Sequence, residues 1–439
     1  MESFAAKMLP PAIDSARLRK LQLVGILCGF GAGAWLGAAE APTKLVKLGV
    51  SPLIVSLLMV VGVFLARWSL PALIRGTGQM RSDIRQAPHL IVWGILAGCL
   101  WAVANTLTIF AIRDIGLSVA FPLWNINSLL GIFWGYLLFN ELRDAGKLRW
   151  LKVLGGALLM FTGATLLAVA SSAQSPAGHP LRGILAALGA GVLWGTMYVP
   201  YRKAYLTGMN PLSFIAFFTI GELAMMSTLA LVYGGGPAAL RLQLALAKPV
   251  LFWLMLGGFV WVIGDLFQQY AAKYIGISRG IPLSNTNQLW GLLWGILVFG
   301  ELRGLSPSLY AKVIGGSLLM AAGAGAIALS SVTGKEHTRW KQAADRESRR
   351  YKVDADYVQA ALSGNEAATA GGQLAVPSGR SWLDWLVVIA ATTIFITLAV
   401  LARAPSMALN WTALAALAAA MVVFLLACGL ALWRTTRFN

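Results

Sequence analysis

The chain has 439 residues, of which 58% are apolar and only 12% are charged. That charged share is about half of what a soluble protein carries, so the composition argues against a soluble enzyme, a nucleic-acid-binding module and a disordered chain. It favours an all-α polytopic membrane protein.

A helix needs about 20 apolar residues to cross the hydrocarbon core of a bilayer, and twelve runs reach that length. In chain order they are 21–39, 52–74, 88–112, 117–139, 151–171, 181–200, 211–234, 249–272, 277–299, 311–331, 382–402 and 411–433. The charged segment 332–380 is predicted to be a soluble linker, in which Trp340–Leu362 favours a surface helix.

The distribution of Lys and Arg predicts the orientation of the chain. With the N-terminus inside, the cytoplasmic segments carry 26 cations, including Arg67, Arg202 and Arg279, against 9 on the other side. Cytoplasmic loops of membrane proteins carry such an excess. We therefore predict a multi-pass protein of the cytoplasmic (inner) membrane with both termini in the cytoplasm. The net charge of +18 then reflects the membrane topology and does not indicate nucleic-acid binding.

Three Cys and three His residues are scattered along the chain, and no C-x-x-C or Cys/His cluster occurs. Zinc and redox motifs need such clusters. We therefore expect no metal site, no bound cofactor and no catalytic site.

The chain contains a long internal repeat. Residues 116–143 and 276–303 share 15 identities in 28 aligned positions, and the offset between the copies runs from 158 to 160 residues. Each copy has five spans, so the second must enter the membrane from the opposite side, as in many secondary transporters. The predicted organisation is a ten-helix transporter core of two inverted repeats with two additional C-terminal helices: a cytoplasmic N-terminus (1–20), the first repeat (21–171), the second repeat (181–331), the cytoplasmic linker (332–380) and a transmembrane hairpin (381–439).

Paired motifs link the two copies to a known family. Phe-x-Glu-Leu-Arg (139–143 and 299–303) is followed in each copy by Lys-Val-x-Gly-Gly-x-Leu-Leu-Met. This pattern resembles the drug/metabolite transporter superfamily, although Asn140 stands where Gly is usual. The Pro-Leu-x-Asn-x-Asn runs (122–127 and 282–287) resemble most the glucose/rhamnose porter branch. The resemblance covers about 21–331 and implies a proton- or sodium-coupled carrier of small polar solutes such as sugars.

Two acids lie within apolar spans, where a charge is costly and marks a functional candidate. Asp265 lies in the eighth span and Glu222 in the seventh. We predict that Asp265 couples ion binding to transport or binds a substrate hydroxyl, and that Glu222 is a second coupling site. The alternative is a structural role, with Asp265 in a salt bridge to Lys273 or Arg279 and Glu222 bridging to a neighbouring helix.

Amide and aromatic side chains are the candidate substrate contacts. Pro122 and Pro282 free backbone groups and can break their helices, just before the paired Asn residues. Amides within a bilayer need partners, and a sugar needs hydrogen-bonding groups and an aromatic face. The predicted substrate-binding residues are Trp101, Asn105, Asn125, Asn127, Trp261, Asn285, Asn287 and Gln288.

Other charged residues near span ends have simpler interpretations. We expect Glu141 and Glu301 either to cap a helix or to pair with Arg143 and Arg303. We expect Arg279 to be a cation that extends towards the cytoplasmic surface.

The predicted function is therefore secondary active transport of a small polar solute, a sugar, by alternating access. A drug, metabolite or amino-acid exporter of the same superfamily is the alternative, followed by a membrane scaffold or sensor that uses 332–439. A lipid-modifying enzyme lacks a clustered set of reactive side chains. The expected partners are the solute and the lipid bilayer, without nucleic acid, and a homodimer is left open.

Overall fold

The computed structural model describes residues 15–39, 41–44, 50–171, 180–300, 306–330, 332–354, 357–358, 379–403 and 409–438. The regular structure in these ranges is helical, without a strand. Ten of the described helices are long and apolar enough to cross a membrane, which confirms the prediction of an all-α polytopic membrane protein.

The helices are numbered here in chain order. They are α1 (Ser15–Ala38), α2 (Pro52–Ile74), α3 (Gly78–Gln86), α4 (His89–Trp124), α5 (Asn127–Phe139), α6 (Lys147–Ser171), α7 (Pro180–Leu206), α8 (Pro211–Tyr233), α9 (Gly236–Ala247), α10 (Leu251–Ile275), α11 (Ile277–Ser284), α12 (Asn287–Leu293), α13 (Pro307–Ala328), α14 (Gly334–Tyr351), α15 (Trp382–Leu401) and α16 (Trp411–Thr436). A helical turn at Ala41–Lys44, a 3₁₀ turn at Lys248–Val250 and a π-helical turn at Trp294–Val298 complete the set.

Helices α2 and α8 begin alike because the repeat places a proline at the first position of each. Pro52 and Pro211 supply a preset φ and lack the N–H that a helix start leaves unpaired. In α8 the preceding Asn210 also caps the helix, because its side-chain oxygen accepts a hydrogen bond from the Leu212 N–H at 2.9 Å.

The predicted spans four and nine are broken at equivalent positions. Helix α4 ends at Trp124 and α5 begins at Asn127; α11 ends at Ser284 and α12 begins at Asn287. Both breaks fall within the Pro-Leu-x-Asn-x-Asn runs and are related by 160 residues. Non-helical backbone at membrane depth is tolerated where it is buried in protein or lines a cavity, so these breaks mark the interior of the bundle as a place for polar contacts.

The two copies differ just before these breaks. Gly276 has a φ of 84°, which favours glycine, and there the chain reverses between α10 and α11. The counterpart Gly116 lies inside α4. This helix is 36 residues long and runs straight through 113–116, where the sequence predicted a loop between two spans.

The two copies interdigitate. Helix α1 of the first copy packs against α10 of the second, and the equivalent α7 packs against α4. Helix α2 packs against α10, and the equivalent α8 packs against α4. Two further contacts join equivalent helices of the two copies: α2 with α8, and α6 with α13. Each contact therefore has a repeat-related counterpart, or joins two equivalent helices.

Glycines allow α6 and α13 to cross closely. A Cβ built on Gly156 would lie 2.7 Å from the carbonyl oxygen of Gly323, and one on Gly163 would lie 2.5 Å from that of Gly316. Because Gly156 is equivalent to Gly316 and Gly163 to Gly323, the contact is reciprocal. Small residues let helix backbones approach in membranes.

One end of the bundle, called here the linker end, carries α3, α14 and Phe438. The Tyr357 hydroxyl donates to Asp83 Oδ1 at 2.7 Å, and Asn210 Nδ2 donates to the Phe438 carbonyl oxygen at 2.7 Å. Gln22 Nε2 donates to the Val332 carbonyl oxygen at 2.6 Å. The beginning of the predicted linker is thus tied to the core.

Helices α15 and α16 lie on the outside of the core, on different partners. Helix α15 packs mainly on α2, and α16 packs on α1, where Trp35 Nε1 donates to the Met421 carbonyl oxygen at 3.2 Å. A capping box formed by Ser381 and Asp384 begins α15. The two helices of the segment predicted as a hairpin therefore pack on two different core helices.

We expect Gly316→Val to destabilise the protein, because its side chain would press into the α6 backbone. Overpacking of this kind costs about 1–3 kcal/mol. Gly315→Val is the matched control, since nothing lies within 4 Å of a Cβ at Gly315. Thermal unfolding in detergent measures the difference, and equal melting temperatures for the two variants would contradict the close crossing.

Candidate functional site

A buried arginine joins the two acids that the sequence singled out. Arg67 on α2 donates from Nη1 to Glu222 Oε2 at 2.9 Å and from Nη2 to Asp265 Oδ2 at 2.7 Å. The three side chains are at most 1% exposed. Glu222 lies on α8 and Asp265 on α10, so the group, called here the charge triad, joins one helix of the first copy to two of the second.

Aromatic and amide groups surround the charge triad. The Arg67 guanidinium lies 4.3 Å from the centre of the Phe218 ring and 5.1 Å from that of Trp261, distances at which a cation is attracted to the ring face. Gln269, one turn after Asp265, donates from Nε2 to Asp265 Oδ1 at 3.0 Å. The Tyr205 hydroxyl hydrogen-bonds to Gln269 Oε1, which brings α7 into the network.

The charge triad does not balance to neutrality when it is fully ionised. Two carboxylates share one guanidinium, and arginine stays protonated in proteins, so the group carries one net negative charge. An unpaired charge inside a membrane protein is costly. One proton or one monovalent cation would remove the imbalance.

The repeat-related positions of the charge triad are neutral. They hold Val63, Met226 and Asn105. The Asn105 Nδ2 group donates to Ser56 Oγ on α2 at 3.2 Å. The polar chemistry of the two copies therefore differs at this level of the bundle.

The predicted aromatic pair meets beside the charge triad. The rings of Trp101 on α4 and Trp261 on α10 are 5.4 Å apart and meet edge to face. Asn105 and Asp265 each lie one turn further along the same helices.

The two helix breaks bring amides from both copies together. Asn285 Nδ2 donates to Asn127 Oδ1 at 3.3 Å and to Ser128 Oγ at 2.5 Å. Helix α10 also contacts this break, since Gln268 Nε2 donates to Ser284 Oγ, on the residue before Asn285, at 2.6 Å.

Three other residues of the predicted substrate-binding set have side-chain polar atoms for which the described residues provide no hydrogen-bond partner. Within the described ranges, Asn125 Nδ2, Asn287 Oδ1 and Gln288 Oε1 are buried without a hydrogen bond. Buried polar atoms are almost always satisfied by protein or by a bound molecule. These atoms therefore have free capacity for a hydroxylated solute or for water.

Sequence reasoning missed Arg67 and assigned the wrong partner to Asp265. The expected partners Lys273 and Arg279 do not pair with it; Arg67 does. Arg67 was counted as a cytoplasmic cation, although it lies within the apolar run 52–74. The rule that marks an acid inside a span as functional applies equally to an arginine, and would have found it.

A second set of buried ion pairs lies at the linker end. Arg202 Nε on α7 lies 2.7 Å from Glu141 Oε1, so Glu141 does not take its expected partner Arg143. The same carboxylate accepts from the N–H groups of Ile277 and Ser278, at 3.2 and 2.9 Å, and thereby caps α11. The corresponding Glu301 lies outside the described residues.

Helix α14 binds across the linker end through its acidic and aromatic side chains. Glu336 accepts two hydrogen bonds from Arg279, at 2.7 and 2.9 Å, and one from the Leu142 N–H at 2.8 Å. Arg279 is only 1% exposed, so the prediction of a cation at the cytoplasmic surface is wrong. The Arg202 guanidinium lies 4.2 Å from the centre of a Trp340 ring.

The far end of α14 makes a further ion pair. Lys203 Nζ lies 2.5 Å from Glu347 Oε2, and it also lies 4.8 Å from the ring centres of Trp93 and Tyr351. Helix α14 therefore spans helices of both copies. Among the described residues, no group of three His, Cys, Asp or Glu side chains could hold a metal ion.

Residues 185–350 match the model of a family described as Sugar transport protein. The match begins within α7 and ends within α14. A probable glucose uptake protein of Staphylococcus aureus is 21% identical over 245 residues, which cover 53% of this chain and 77% of the relative. A putative sugar uptake protein of Listeria innocua is 24% identical over 232 residues, which cover 52% and 75%.

Among solved structures, one named "Crystal structure of protein" superposes with a TM-score of 0.46 and 19% identity. It covers 70% of this chain and 97% of that chain.

We expect Arg67→Gln to destabilise the protein strongly, because it leaves two carboxylates in the apolar interior without a counter-charge. Removing one partner of a buried ion pair costs about 3–5 kcal/mol. The triple variant R67Q/E222Q/D265N removes all three charges and should recover most of this loss. Thermal unfolding in detergent compares both with Arg85→Gln, which changes an exposed arginine of α3. The same stability for R67Q and R85Q would rule out the charge triad.

We expect acid to loosen α14. Burial, followed by the positive charges of Lys341 and Arg202, lowers the pKa of His337 from its ordinary 6.5 to about 4. Since the folded protein holds this ring neutral, the stabilisation is complete above pH 6.5 and is lost as the pH falls through 4. Amide hydrogen exchange of α14, corrected for intrinsic rates, should therefore accelerate between pH 7 and pH 5. His337→Gln should remove most of that change, and equal responses of variant and wild type would contradict it.

Proposed function

We propose that this chain is a secondary active transporter that carries a sugar across the cytoplasmic membrane by alternating access, coupled to a proton or sodium gradient. The observation that carries the proposal is the single excess negative charge of the charge triad, which lies between the two copies and beside the Trp101–Trp261 pair. The similarity to sugar uptake proteins supports the choice of solute.

The charge triad is the proposed ion site. Asp265 and Glu222 compete for Arg67, so binding of a proton or of sodium to one carboxylate leaves the other fully paired. Only a ligand that binds the two orientations with different affinity can shift their populations. An ion that neutralises the charge triad has different affinities for the two orientations when the distances between α2, α8 and α10 at the triad differ between them.

The amide cluster and the tryptophan pair form the proposed sugar site. Asn125, Asn127, Asn285, Asn287 and Gln288 supply donors and acceptors for hydroxyl groups. Trp101 and Trp261 supply an apolar face of the kind that a sugar ring needs. Asn105 lies on the same helix as Trp101 and completes the proposed set.

The linker end forms the proposed cytoplasmic gate. The Glu141–Arg202 pair joins the first copy to the second, and α14 crosses both, so a path from the cytoplasm requires these contacts to separate. The proposed orientation has both termini on that side, in agreement with the excess of Lys and Arg there.

Counterflow of labelled sugars into proteoliposomes tests the solute. The purified full-length chain should exchange at least one sugar without any ion gradient, and excess of the same unlabelled sugar outside should abolish the exchange. No exchange of any sugar, together with exchange of an amine or amino acid, would replace this proposal with an exporter of that solute class.

Asp265→Asn tests the coupling. The variant leaves Arg67 paired with Glu222, so the triad is neutral and can no longer gain and lose an ion. We expect counterflow to persist, whereas gradient-driven accumulation, about tenfold per pH unit for one coupled proton, disappears. The exposed Asp345→Asn serves as control and should accumulate sugar like the wild type. Normal accumulation by D265N, with its pH dependence intact, would refute the ion site.

A further inference from the structure

A groove of about 970 Å³ lies on the outer surface at the linker end, away from the charge triad. It is formed by the end of α5, the loop that follows, the first half of α6 and one side chain of α14. Its two parts differ in chemistry: the mouth is cationic and aromatic, and the wall is apolar.

Three cations surround the mouth of the groove: Arg143, Lys147 and Arg339. Asp144, the carboxylate beside them, is already held by Arg339, whose Nε donates to its Oδ2 at 2.9 Å. In the part of the chain that the structure describes, no acidic side chain pairs with Arg143 or Lys147. Three positive charges against one negative charge leave the mouth at +2, which favours an anion.

Aromatic rings flank the same mouth. The Arg143 guanidinium lies 5.2 Å from the centre of the Tyr136 ring, and the Tyr136 and Trp150 rings meet edge to face at 5.4 Å. Tyrosine and tryptophan are enriched at the depth of the lipid head groups. The mouth therefore lies at the membrane–water interface.

The apolar wall continues from the mouth along α6. Leu151, Leu154 and Leu158 line the groove and are 69%, 41% and 47% exposed. Gly155 leaves space between them, since only Leu151 comes within 4.0 Å of a Cβ built there. The wall belongs to the membrane-spanning part of α6, between Lys147 and Leu167, so it faces lipid rather than water.

The length of the groove fits one leaflet of a bilayer. Leu158 lies eleven positions after Lys147, and a helix rises 1.5 Å per residue, so the groove runs for about 16 Å. Half of the hydrocarbon core is about 15 Å thick. A cation at one end and a leucine at the other therefore match a phosphate and the end of an acyl chain.

We propose that this groove binds an anionic glycerophospholipid, with its phosphate at the three cations and one acyl chain along the three leucines. Basic pockets beside membrane helices on the cytoplasmic side bind anionic head groups. A soluble phosphate compound uses only the mouth, and a second copy of the chain would place three cations against three cations. Because Arg339 belongs to α14, the bound lipid also holds α14 to the core.

Native mass spectrometry of the full-length protein with added phosphatidylglycerol or phosphatidylcholine tests the proposal. The wild type should bind phosphatidylglycerol more tightly than phosphatidylcholine. Replacing both free cations, R143Q/K147Q, should weaken the first phosphatidylglycerol about 30-fold. The matched control R81Q/R85Q removes two exposed arginines of α3 at the same end and should leave this affinity unchanged. An equal loss in both double variants would reduce the effect to diffuse surface charge and overturn the site.

Three further measurements distinguish the lipid from other occupants of the groove. Leu154→Trp fills the wall without changing the charge and should weaken phosphatidylglycerol as well; unchanged affinity would overturn the acyl-chain contact. Millimolar glycerol 3-phosphate should not displace the lipid; if it does, the mouth is a site for soluble phosphates instead. A dimer that dissociates in R143Q/K147Q would make this face a self-association surface. Circular dichroism verifies that each variant is folded.

Discussion

The sharing of Arg67 between Glu222 and Asp265 is the interaction on which the interior depends. Three ionised groups removed from water are expensive, and their mutual attraction is what makes their burial tolerable. The attraction acts only while α2, α8 and α10 stay in register, and the close packing of these helices maintains it. The charge triad and the packing of the two copies therefore require each other.

Much of the fold could be predicted from sequence because it is encoded locally. Apolar runs mark the helices, and the duplicated Pro-Leu-x-Asn-x-Asn runs mark both breaks. The meeting of Asn127 and Asn285 follows from the repeat. The pairing of Arg67 illustrates what could not be predicted: 155 residues separate it from Glu222, and its counterpart Met226 is apolar, so neither spacing nor repetition indicated its partners.

Helix α14 shows a second limit of sequence reasoning. A polar helix with alternating charges is typical of a solvent-exposed linker, and its composition alone gives no reason to place it against the core. What places it there is a set of cations on other helices. Arg279 and Arg202 were assigned to cytoplasmic segments, yet each meets an acidic or aromatic side chain of α14, as Lys203 does. The core therefore includes the first part of the segment predicted as a separate linker.

The asymmetry of the charge triad shows that two identical copies could not have formed it. Its arginine comes from the first copy and both carboxylates from the second, while the positions related by the repeat hold Val63, Met226 and Asn105. A symmetric pair of first copies would hold two arginines and no acid at these positions. A symmetric pair of second copies would hold four carboxylates and no arginine. Neither pair balances its charges, so the charge triad depends on the sequence differences between the two copies, and the repeat alone supplies only the scaffold.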